Sequence, residues 1–200
     1  MPIVDKTKPP THESGKVTTV LNDLINDTHS YKNNPYTQNI TATHVTVGLC
    51  VTTKYVKRQK RPGHAFLFLW DIGGRDFQSV HFDGQDLMQV PNLDSEVSPN
   101  TNIWFYTRGI IPSQYTGMIN QIRQFRQSGN NKYYMYAPAV LSWWNKHKTE
   151  YNNCVTTVDT VLQKGNLSTG WIRQLVTPYA YSLTFDRKWM VHFLQGRIIH

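Results

Sequence analysis
The stretch from Gly63 to Asp83 constrains the fold more than any other part of the chain. Ala65-Phe66-Leu67-Phe68-Leu69-Trp70 is an unbroken apolar run, far too short to cross a bilayer and of the length of a strand buried on both faces. Asp71-Ile72-Gly73-Gly74-Arg75-Asp76 is a turn built around paired glycines, and Phe77-Gln78-Ser79-Val80-His81-Phe82-Asp83 returns as the second arm of a hairpin. A hairpin of this kind belongs at the centre of a sheet.

The flanking sequence supplies its neighbours. Val45, Val47, Leu49 and Val51 alternate with Thr46, Gly48, Cys50 and Thr52, the pattern of a strand with one buried face, and Cys50 falls off that face. A further strand is expected over Asn102 to Thr107. Ser113 is then expected to cap a helix with Tyr115, Met118, Ile119, Ile122 and Phe125 along one side, Arg123 and Arg126 towards solvent, and Gly129-Asn130-Asn131 at its end. Tyr133 to Tyr136 reads as extended, Pro138 opens a helix through Trp143-Trp144, and Tyr179 to Phe185 and Trp189 to Leu194 are strand-like. Nearer the start, Val17, Val20, Leu21, Leu24 and Ile25 recur at helical spacing, while 28–43 and 84–101 read as loops. Residues 1–15, rich in proline and without periodicity, form a flexible arm, which leaves 16–200 as a single domain.

Composition narrows the function classes. The net charge of +8 and pI near 9.5 favour anionic surroundings, whether nucleic acid, acidic lipid or cell-wall polymer. The densest basic run, Lys54, Lys57, Arg58, Lys60 and Arg61, lies between two expected strands, where a solvated loop is the plainer explanation. The N-terminal residues lack the charged-then-apolar order of a signal peptide, and no run is long enough for a transmembrane segment. The expectation is a chain made soluble in the cytoplasm. Two cysteines are too few for a disulfide framework, the eight histidines form no HExxH, and no zinc signature or cofactor motif is present.

The chemistry concentrates at Tyr151-Asn152-Asn153-Cys154. Apolar residues at 155, 158, 161 and 162 fit a helix, Asn152 or Asn153 can serve as its N-cap, and Gly165 can stop it. Cys154 then stands in the first turn, where unpaired N–H groups and the helix dipole favour a thiolate. A thiolate nucleophile needs a base, and that base needs an orienting group. His64 opens the central strand. A hairpin centred on Gly73-Gly74 puts residue 64 opposite residue 83, with residues 81 and 83 on one face, so His81 and Asp83 both compete to orient His64. Trp104, Tyr106, Trp143 and Trp144 are candidates to line a substrate cleft, with core packing the equal alternative.

The order of these parts, a Gly-His-plus-apolar strand, a return ending Val-His-Phe-Asp and a later helix opening Asn-Cys, resembles the circularly permuted branch of the NlpC-type papain-like hydrolases, which includes lecithin:retinol acyltransferase. The resemblance covers about residues 44–85 and 151–165. It implies an α+β, papain-like fold with a central antiparallel sheet packed against helices. By position it makes Cys154 the nucleophile, His64 the base and His81 the third member, with Asp83 the competitor.

Amide hydrolysis is the activity so implied. A small basic chain without a signal peptide resembles amidases that type VI secretion delivers to the periplasm of a target cell to cut peptidoglycan peptide stems. A secretion-system carrier and a cognate immunity protein are the partners that follow, and nucleic acid is not among them. The same fold would serve lipid or protein deacylation. The non-enzymatic alternative is an anion-binding module in which the basic loop contacts nucleic acid or membrane and Cys154 is structural.

Overall fold
The computed structural model describes residues 11–12, 45–52, 64–71, 78–82, 87–88, 103–127, 131–133, 150–167 and 189–194. Strands β1 (Thr11–His12), β2 (Val45–Thr52), β3 (His64–Asp71), β4 (Gln78–Phe82), β5 (Leu87–Met88), β6 (Ile103–Ile110) and β9 (Met190–Leu194) form one seven-stranded sheet in the order β1-β9-β6-β2-β3-β4-β5. A parallel pair, β7 (Asn131–Tyr133) and β8 (Glu150–Asn152), stands apart from it. Two helices are described, α1 (Pro112–Gln127) and α2 (Cys154–Lys164).

The register is regular through the middle of the sheet. Leu67, Phe68 and Leu69 of β3 oppose Val80, Ser79 and Gln78 of β4, the pairs that a hairpin centred on Gly73-Gly74 predicts. On its other side β3 pairs antiparallel with β2 from Val45↔Asp71 to Thr52↔His64, and β2 pairs antiparallel with β6 from Val45↔Ile110 to Thr52↔Ile103. Strand alternation divides β3 in two. Ala65, Leu67 and Leu69 join Val80, Tyr106 and Ile110 in a core cluster with Met118, Ile119, Ile122 and Phe125 of α1 and Val155, Val158, Val161 and Leu162 of α2. His64, Phe66, Phe68 and Trp70 take the opposite face, where Phe66 and Phe68 stack at 6.3 Å. Every residue from His64 to Trp70 is buried, so the run is closed to solvent on both sides.

The helices pack on the Leu67 face and cross each other closely. A Cβ built on Gly117 of α1 would overlap the backbone carbonyl of Lys164, and one on Gly165 would lie 3.1 Å from the Met118 side chain. Gln114 ties the crossing together by accepting from Ile111 N at 3.1 Å and donating to Gly165 O at 2.9 Å. Ser113 is therefore not the cap: the helix begins at Pro112, whose missing N–H costs nothing at the first helical position.

Other boundaries also differ from expectation. β6 continues to Ile110, three residues past Thr107, because Ile110 still finds a partner in Val45. Leu87–Met88 forms a short strand within the expected 84–101 loop by pairing with His81 and Phe82. Thr11–His12, in the expected arm, pairs parallel with Phe193–Leu194. The segments expected at 17–25, 28–43, 54–61, 138–144 and 179–185 lie outside the described residues. Among the described residues no helix is long and apolar enough to cross a membrane.

Candidate active site at the start of the second helix
Asn153, not Asn152, is the N-cap of α2. Its backbone is extended at φ −122° and ψ −177°, its Oδ1 accepts from Thr156 N at 2.8 Å, and Thr156 Oγ1 accepts from Asn153 N at 2.8 Å. This reciprocal pair is a capping box, built here with threonine in place of the more usual glutamate. Two of the four donors at the helix start are thereby used within the turn, and those of Cys154 and Val155 stand outside the helix's own ladder.

At the other end, Asn166 N donates to Gln163 O at 2.9 Å and Leu167 N to Leu162 O at 2.8 Å, the Schellman pattern. Asn166, at φ 53°, is the left-handed residue that this pattern requires. Gly165 was the expected stop and does occupy the C-cap, at φ −93°, where the packing of Met118 rather than the backbone asks for a small residue. Leu167 then turns into the core.

Cys154 is the first residue of α2 and is 7% exposed, in the same cluster as Ala65, Leu67 and Leu69. The arrangement puts a thiol at the electropositive end of a helix laid against the central strands, where an anion is favoured. His64, the first residue of β3, is 3% exposed and meets the Phe66 ring edge-on with centroids 4.5 Å apart. Alternation therefore assigns His64 and the Cys154 cluster to opposite faces of β3. His81 lies in β4 opposite Met88, and Asp83 lies outside the described residues.

Of the expected cleft residues, Tyr106 is buried within the Cys154 cluster and Trp104 packs, half-buried, against it. Trp143 and Trp144 lie outside the described residues. Cys50, in β2, is in register with Phe66 of β3 on one side and Phe105 of β6 on the other.

Three residues of α2 were missed in the sequence. The Asn153-x-x-Thr156 spacing is itself a capping signal and was legible. Thr157 and Asp159 are both buried, Asp159 Oδ2 accepting from Gln163 Nε2 at 2.8 Å; both stand at helical spacing from apolar positions, 157 from 154 and 161 and 159 from 155 and 162, but their polar side chains hid that signal. Among the described residues no group of three His, Cys, Asp or Glu side chains could hold a metal ion. No protein-family model, curated protein or solved structure matches this chain.

Proposed function
We propose that the protein is a cysteine hydrolase of the permuted NlpC-type, papain-like kind that cleaves an amide bond through Cys154. The observation that carries this reading is the placement of Cys154 as the first residue of a capped helix packed against the central strands. Cys50, in the middle of β2, has no helix start to help it ionise.

In the reaction, an imidazole takes the thiol proton and the thiolate forms a bond to the amide carbonyl carbon. The Cys154 N–H contributes to the oxyanion hole while the tetrahedral intermediate lasts. The imidazolium protonates the leaving amine, the C–N bond breaks, and a thioester remains. The same imidazole then draws a proton from water, whose oxygen attacks the thioester, releasing the acid and restoring the thiolate.

His64 is the base in this reading. Because it is the first strand residue, its ring has to reach Cys154 round the end of β3, and not across the strand. Peptidoglycan peptide stems are the proposed substrate, reached by type VI delivery into a target cell's periplasm. The net charge of +8 supports an anionic polymer as substrate, and the producing cell would then need an immunity protein.

The register favours one rival assignment. Thr52↔His64 and Cys50↔Phe66 make Cys50 and His64 diagonal neighbours on adjacent strands, a spacing within reach of long side chains. Two single substitutions separate the readings, assayed on purified peptidoglycan with folding checked by circular dichroism. Cys154→Ala should abolish cleavage in folded protein, and Cys50→Ser should leave turnover near wild type. The opposite pattern would transfer the nucleophile to Cys50, and cleavage surviving both substitutions would end the cysteine-hydrolase reading.

A further inference from the structure
Among the described residues the seven-stranded sheet ends on each side in a strand of only two residues, β1 (Thr11–His12) beyond β9 and β5 (Leu87–Met88) beyond β4. Very short edge strands are one way in which sheets avoid pairing with other chains. The β1 side carries the larger hazard. β9 is Met190-Val191-His192-Phe193-Leu194, pairs with β6 along all five residues, and has no Lys, Arg, Asp or Glu to repel an incoming strand. On its outer side, Thr11 and His12 of β1 pair with Phe193 and Leu194.

The sequence explains why β1 is so short. The pairing is parallel, so continuing it back along β9 would set Pro10 beside His192 and Pro9 beside Val191. Proline has no N–H to give to a ladder, so the pairing starts only at Thr11. A cover of two residues behind a proline pair holds by few hydrogen bonds and can be lifted without disturbing the core. We propose that the N-terminal arm is a guard strand: seated on β9 it keeps the chain monomeric, and lifted from β9 it opens an edge that a second copy of this chain takes. Two copies of β9 related by a two-fold axis run antiparallel, so the same five residues serve on both sides and the contact closes as a dimer. The absence of Lys, Arg, Asp and Glu from the strand means that this pairing sets no like charges against one another at neutral pH. The device involves neither Cys154 nor His64.

The test uses the full-length chain carrying Thr11→Pro and His12→Pro together. Successive N–H groups of a strand face opposite sides, so the double change removes whichever of the two faces β9. Mass is read by sedimentation velocity at physiological ionic strength, where screening confines the repulsion of the +8 net charge to about 8 Å. Hydrogen exchange of a peptide spanning residues 190–194 is followed by mass spectrometry in dilute and in concentrated protein.

The unsubstituted chain should stay monomeric, with the exchange of β9 independent of concentration. The double variant should remain folded by circular dichroism and exchange β9 faster when dilute. On concentration it should double its mass and recover the lost protection. A variant that stays monomeric when concentrated, or one that associates while β9 exchanges as fast as before, would overturn the proposal. So would an unsubstituted chain that is already a dimer, or a variant that fails to fold, because the arm would then support the fold and not merely guard its edge.

Discussion
His81 and Asp83 pose the sharpest residue-scale question, because both compete to orient His64 and only one can sit against its far nitrogen. The observed β3–β4 register, continued by one pair beyond Leu67↔Val80, brings residue 81 into line with Phe66. Under the proposed reading as a permuted NlpC-type hydrolase, the motif position of the third residue favours His81. His81→Ala should therefore lower turnover by roughly two to four decades with KM nearly unchanged, as for a misplaced base, while Asp83→Ala stays mild. The reverse ranking in steady-state kinetics would hand the role to the carboxylate. This pairing was legible because a glycine-centred hairpin fixes its own register locally. The face on which Cys154 packs was not, since nothing near residue 64 tells which side of β3 a helix ninety residues later will cover.

The two helices turn on small contacts whose costs can be ranked. At Gly117 an added methyl meets backbone, and backbone cannot step aside; at Gly165 it meets Met118, a flexible side chain. Gly117→Ala should thus cost about 1–3 kcal/mol, the usual range for overpacking, and clearly more than Gly165→Ala in urea unfolding. Asn166 carries the left-handed strain of the helix end. Asn166→Ala should destabilise by roughly 1 kcal/mol, while Asn166→Gly should lie near wild type, relief of strain being offset by the entropy of glycine. Apolar spacing at 155, 158, 161 and 162 made α2 readable, whereas the close approach at Gly117 follows only from how two helices meet.

At the scale of the whole molecule, Cys50 lies within the sheet, in β2, whereas Cys154 opens a helix layered on the sheet. Sheets and the layers on them pack about 10 Å apart, beyond the roughly 7 Å that a disulfide tolerates between Cα atoms, so Cys50 and Cys154 should not join. Both thiols should titrate in urea without reductant after mild oxidation of the native protein, and a single intramolecular crosslink by mass spectrometry would contradict this layering. The strand order is the part that sequence left unread: β2 and β3 are neighbours in the chain and in the sheet, but β6 sits between β2 and β9, a pairing of residues far apart that no local pattern encodes. That order has a temporal side. As the chain leaves the ribosome, β6 can meet β2 at once, yet its other edge waits through α1, β7, β8 and α2 before Met190–Leu194 is synthesised to cover it. During that wait the nascent chain carries an open edge of Ile103, Trp104, Phe105 and Tyr106, the kind of surface that holding chaperones bind and that unguarded chains use to aggregate.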